Sequence, residues 1–154
     1  MATLTVTVTE AVTLGDGSTD RGTTNTQTVD VNEVDHRIMD VTTTETAILR
    51  FGNANGAGTF KDGTVKYLRI TNLDANNFVT LRIQASDAEY FVKLQSEDHF
   101  ILGNSVMDAH EDAVDPARSV SGTSLSVNLG YIDTIWADAD TATCQVEYFL
   151  ASAD

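Results

Sequence analysis

The chain has 154 residues, a formal charge of −14, one proline, one cysteine and an aromatic content of 7%. That length suits a single domain with a real core, and so acidic a chain lacks the basic footprint that nucleic acids and anionic membranes require. One cysteine, Cys144, excludes an intrachain disulfide, and no apolar stretch reaches membrane-spanning length.

The acidic surface is expected to be solvated, favouring solubility at high ionic strength or a basic partner. Threonine is abundant, and Thr, Val and Ile suit extended chain because branching at Cβ restricts χ1. The N-terminus lacks the basic and apolar regions of a secretory signal.

Residues 2–9 alternate, with Leu4, Val6 and Val8 on one side and Thr3, Thr5, Thr7 and Thr9 on the other. This predicts a half-buried strand with a hydroxyl-lined outer face, pairing either in its own sheet or with a neighbouring subunit. The Asp/Gly-rich segment from Leu14 to Asp20 lacks the distal Glu of a calcium loop and reads as a turn. A polar run leads into a strand at Gln27–Val31, and another strand follows from Val34 to Thr42, with Ile38 and Val41 as core candidates. Thr46–Phe51 reads as a strand entering a Gly/Asn-rich loop, Gly52 to Gly58.

From Val65 to Leu102 the pattern is clearest. Leu68 and Ile70 share one face of the run Val65–Thr71, and Val79, Leu81 and Ile83 share one face of Phe78–Gln84. Joined by the Asn/Asp corner Asn72–Asn77, they predict a β-hairpin. Short strands at Tyr90–Leu94 and His99–Leu102 follow. Asp108–Arg118 reads as an exposed excursion with at most one helical turn, since Pro116 would stop a helix. Leu125–Ile135 returns to alternation, Trp136 leads to a turn at Ala137–Asp140, and Ala142–Leu150 is the last strand. Phe149 breaks the polarity of its second face, so this strand is expected to be covered on both sides. Nine or ten short strands with little helix predict one all-β domain over residues 1–154, an antiparallel β-sandwich of jelly-roll-like form. Residues 1–9 are the segment available for exchange or docking.

The chemistry-bearing residues are sparse. His36, His99 and His110 have no zinc-site spacing. His110 stands beside Glu111, Asp112 and Asp115, acids expected to be solvated rather than to hold calcium. Cys144 has nothing electropositive in sequence to activate it and reads as a buried thiol. There is no Gly-x-Ser-x-Gly elbow or phosphate loop, and 23 acids do not by their number define a glycosidase pair. Trp136, Tyr131 and Tyr148 fall in strands and read as core or interface. These residues imply neither an enzyme nor a resident cofactor or metal.

Tyr67-Leu68-Arg69-Ile70-Thr71-Asn72-Leu73-Asp74, then Asn77–Leu81, Phe91–Leu94 and His99–Gly103, resembles small virion structural proteins of tailed bacteriophages. The N-terminal Thr/Val strand and Thr24-Asn25-Thr26 are similar too. The resemblance implies a capsid decoration (cement) subunit built on a jelly roll or related sandwich, often trimeric. Such a protein is made in the host cytoplasm and sits on the capsid surface. Its partners would be the major capsid protein or another virion protein, and its own copies. Leu4, Val6 and Val8, on a regular free-ended strand, are the expected subunit or shell contact. The alternatives are a fibre, tail or host-attachment module that binds glycan, favoured by exposed Trp and Tyr on one concave face, and a self-assembling filament subunit.

Overall fold

Eleven strands and no helix are found among residues 2–15, 22–52, 56, 58–61, 63–85, 89–103 and 132–153, the residues that the computed structural model describes. In chain order they are β1 (Ala2–Glu10), β2 (Thr23–Val31), β3 (Glu33–Val41), β4 (Thr46–Gly52), β5 (Thr59–Lys61) and β6 (Val65–Asn72). There follow β7 (Val79–Ala85), β8 (Glu89–Leu94), β9 (His99–Leu102), β10 (Ile132–Ala139) and β11 (Cys144–Ser152).

Two sheets form the body. One has the order β3-β11-β6-β9 and the other β5-β4-β10-β7-β8. With β5 set aside, first pairs with last throughout: β3 with β11, β4 with β10, β6 with β9 and β7 with β8. That nested pairing across two sheets is a jelly roll. Short β5 departs from the antiparallel rule by running parallel to β4, with Phe51 beside Phe60.

Alternation explains the core. In the first sheet Leu68, Ile70, Cys144, Val146, Tyr148 and Leu150 point inward; in the second Val79, Leu81, Ile83, Ile135 and Ala137 meet them, and all are buried. At the sheet's edge the Tyr148 hydroxyl donates to Asp35 Oδ2 at 2.7 Å. Burial and that carboxylate raise its phenolic pKa.

Several expectations need correction. The Val65–Gln84 block is not a hairpin, because β6 and β7 lie in opposite sheets. β6 is already flanked by β11 and β9, and the corner between them is held by side chains instead of a ladder. Buried Asn72 donates through Nδ2 to the carbonyls of Asn77 (2.8 Å), Gln95 (3.0 Å) and Leu94 (3.3 Å), and accepts from Asp74 N at 3.0 Å. Asp74 Oδ1 then accepts from Asn76 N and Asn77 N, and these backbone bonds hold its carboxyl below the usual range. Ile38 is 56% exposed, because Val41 and Met39 carry the core-facing phase of β3. The turn after Trp136 comes later than its composition suggests: Ala137 and Ala139 are small enough to pack inside, so β10 continues through Ala139. β2 begins at Thr23, its polar residues sustained by pairing with β1. The Asp16–Asp20 turn, the acids around His110, Tyr131 and the first part of the predicted Leu125–Ile135 strand lie outside the described residues.

Candidate docking arm

β1 and β2 form a separate two-stranded ribbon, paired over nine ranks from Ala2↔Val31 to Glu10↔Thr23 with no shift of register. Alternation gives it two unlike faces. The outer face carries Thr3/Asp30, Thr5/Thr28, Thr7/Thr26 and Thr9/Thr24, with the Thr7–Thr26 and Thr9–Thr24 hydroxyls bonded at 3.3 and 3.4 Å. The inner face runs Ala2/Val31, Leu4/Val29, Val6/Gln27, Val8/Asn25 and Glu10/Thr23. It is apolar at the base and grows polar toward the tip.

Among the described residues only the base is seated. Val31 packs with Tyr67 of β6 and Ala151 of β11, and Leu4, Val6, Val29 and Phe149 close around them. The Tyr67 and Phe149 rings meet edge to face at 6.0 Å. Phe149 is therefore the reason the last strand is covered on both sides, as its break in polarity predicts. Of the three residues expected to make a contact, Leu4 and Val6 are half-buried against the chain's own sheet, and Val8 is 47% exposed. Val12 and Leu14 beyond it are also exposed.

Two concavities flank the arm. A groove of about 350 Å³ lies between β1 and the sheet, lined by Leu4, Thr5, Val6, Thr7, Tyr67, Arg69 and Phe149. A second, about 330 Å³, lies on the distal inner face, lined by Val6, Val8, Glu10, Thr23, Asn25 and Gln27. Beside the first, Glu147 binds Arg69 and lies 3.5 Å from His36 Nε2, while the buried Arg69 Nε has no hydrogen-bond partner.

The outer face of the second sheet carries a different group. Arg82 forks onto Glu45 at 2.7 and 2.5 Å, reaches Glu89 at 3.2 Å and lies over the Trp136 ring at 4.9 Å. Its guanidinium lowers the Glu45 carboxyl pKa. Trp136 Nε1 donates to Gln84, and Phe91, opposite Arg82 on β8, is 60% exposed. Among the described residues no group of three potential metal ligands converges. Cys144 is buried, and desolvation first, then Asp74 and Asp140, push its thiol pKa up.

No family model, curated protein or solved structure matches this chain. Of the residues that seat the arm, Phe149 carried a signal in its strand's pattern. Tyr67 carried none beyond being a large ring on a polar face. β2 was legible only in part, although Thr24, Thr26 and Thr28 repeat the alternation of β1.

Proposed function

We propose that the protein is a virion structural subunit of the capsid-decoration kind, docking on the outer shell and bracing neighbouring shell proteins. The observation that carries this reading is the half-seated arm. A two-stranded ribbon is marginal in water by itself, and exposed strand edges are normally blunted by lysine, proline or bulges. This ribbon has none of the three, and its only charges are Glu10 and Asp30. Such an element suits addition of backbone hydrogen bonds to a partner. A shell repeats its binding sites, so modest contacts sum when neighbouring sites are occupied together. The partner in this reading is the major capsid protein or another virion protein.

The test mixes purified protein with empty heads of the phage that encodes it. The full chain should pellet with the heads and raise their resistance to heat, and a chain lacking residues 1–9 should stay in the supernatant. Circular dichroism checks that the truncated body still folds. A full chain indifferent to heads overturns the reading; a truncated chain that binds as well overturns the role of the arm.

A second reading, a host-attachment module that binds glycan, draws support from exposed Phe91 beside Arg82 and Trp136. Glycan-array binding that Phe91→Ala abolishes would favour it.

A further inference from the structure

Among the described residues no strand pairs with the edge of β1 that faces away from β2. Thr3-Leu4-Thr5-Val6-Thr7-Val8-Thr9 reads the same in polarity from either end, with Val6 at its centre. We infer that β1 pairs antiparallel with β1 of a second copy about Val6, joining two arms into one four-stranded sheet of order β2-β1-β1-β2. In that register Thr3 lies opposite Thr9, Leu4 opposite Val8, Thr5 opposite Thr7, and Val6 opposite the second copy's Val6. All nine residues pair, every threonine stays on one face and every apolar side chain on the other. A slip of one residue would set threonines among the apolar side chains. A slip of two would leave end residues unpaired or place Glu10 against Leu4.

Charge permits this contact where most of the surface forbids it. Two chains of −14 repel, but β1 carries only Glu10. The pairing sets each Glu10 opposite the other copy's Ala2, at opposite ends of the joined strands. Eight residues of extended chain part the two carboxylates by roughly 27 Å, well beyond the screening length of about 8 Å at physiological salt.

The seat for the incoming strand is present. The 350 Å³ groove is lined by residues from both faces of β1, Leu4 and Val6 with Thr5 and Thr7, so it follows the strand's edge, and Tyr67, Arg69 and Phe149 form its other wall. Setting the second copy's Val8 beside Leu4 carries it toward Phe149 and Tyr67. By symmetry this chain's exposed Val8 reaches the same place on the second copy. The half of the arm that the described residues of its own body leave open is thus covered by the other body. A contact of this kind is isologous and closes at two copies, in contrast to the three-fold association that the resemblance implies. It needs no shell and, among the described residues, leaves the outer edge of β2 unpaired for a shell partner, so self-association and head binding fail separately.

The test is light scattering on the full-length protein across a concentration series, with three variants. The unmodified chain should be a dimer. Val6→Cys should form a covalent dimer on oxidation, because directly opposed residues lie about 4.5–5.5 Å apart at Cα, within disulfide reach. Thr9→Cys, facing Thr3, should not. Thr5→Lys/Thr7→Lys lies on the exposed face, so the fold remains, but it sets like charges opposite one another and should weaken the dimer about tenfold or more. A monomer at every concentration, a trimer, or equal crosslinking of the two cysteine variants would overturn the inference.

Discussion

Asn72 shows how one side chain sets topology. It is fully buried at the end of β6, and its amide joins the β6–β7 corner to the β8–β9 corner through the carbonyls of Asn77, Leu94 and Gln95. Its own N–H donates to Asp98 O at 3.0 Å, tying the same two corners again. Removing the amide strands several acceptors in a dry place, and each unmet buried group costs about 1–3 kcal/mol. Asn72→Ala should therefore lower unfolding free energy by about 2–4 kcal/mol in urea titration, while Asn76→Ala at the exposed corner should change it by less than about 0.5 kcal/mol. The sequence marks Asn72 as a turn residue and no more. An asparagine that caps a hairpin and one that bridges two corners have the same local neighbours, and the difference lies in Leu94 and Gln95, more than twenty positions away.

Strand existence was legible because most strands here have one buried face, and alternation records that directly. Pairing was not. Leu68 and Ile70 alternate in the same way whether β7 lies beside β6 or across the core from it, and only the six-residue connection, longer than most hairpin loops, hinted at a corner. Strand β5 escaped notice because three residues cannot show a period. For the candidate site, Leu4, Val6 and Val8 were correctly placed on one face, but what that face touches depended on Tyr67 and Phe149 arriving from elsewhere. The arm's seat is small enough to test by itself. Phe149→Ala should cost the arm roughly 1–2 kcal/mol of local stability. Hydrogen exchange of β1 and β2 amides should rise, while that of β7 and β10 stays as it is. Equal loosening of both regions would mean that Phe149 supports the whole sandwich.

At the scale of the molecule, the jelly roll gives a rigid body, and the charge of −14 sets the conditions it tolerates. Like charges on a compact surface repel, and salt shortens their reach from about 30 Å at 0.01 M to about 3 Å at 1 M. The melting temperature should rise by a few degrees over that range, about 1 kcal/mol for a chain of this size, and a flat or falling response would show that ion pairs such as Arg82 with Glu45 and Glu89 dominate instead. Between Val31 and Glu33 stands a single residue, Asn32, whose N–H donates to Ser152 O at 3.0 Å. A long flexible tether would let the arm sweep a wide volume and would make capture of a partner a search. A one-residue link, pinned to the last strand, ends that search during folding. Most of the orientational entropy is lost before any partner arrives, so binding would give up little more of it, and two bodies joined through their arms as proposed would be held at a fixed angle.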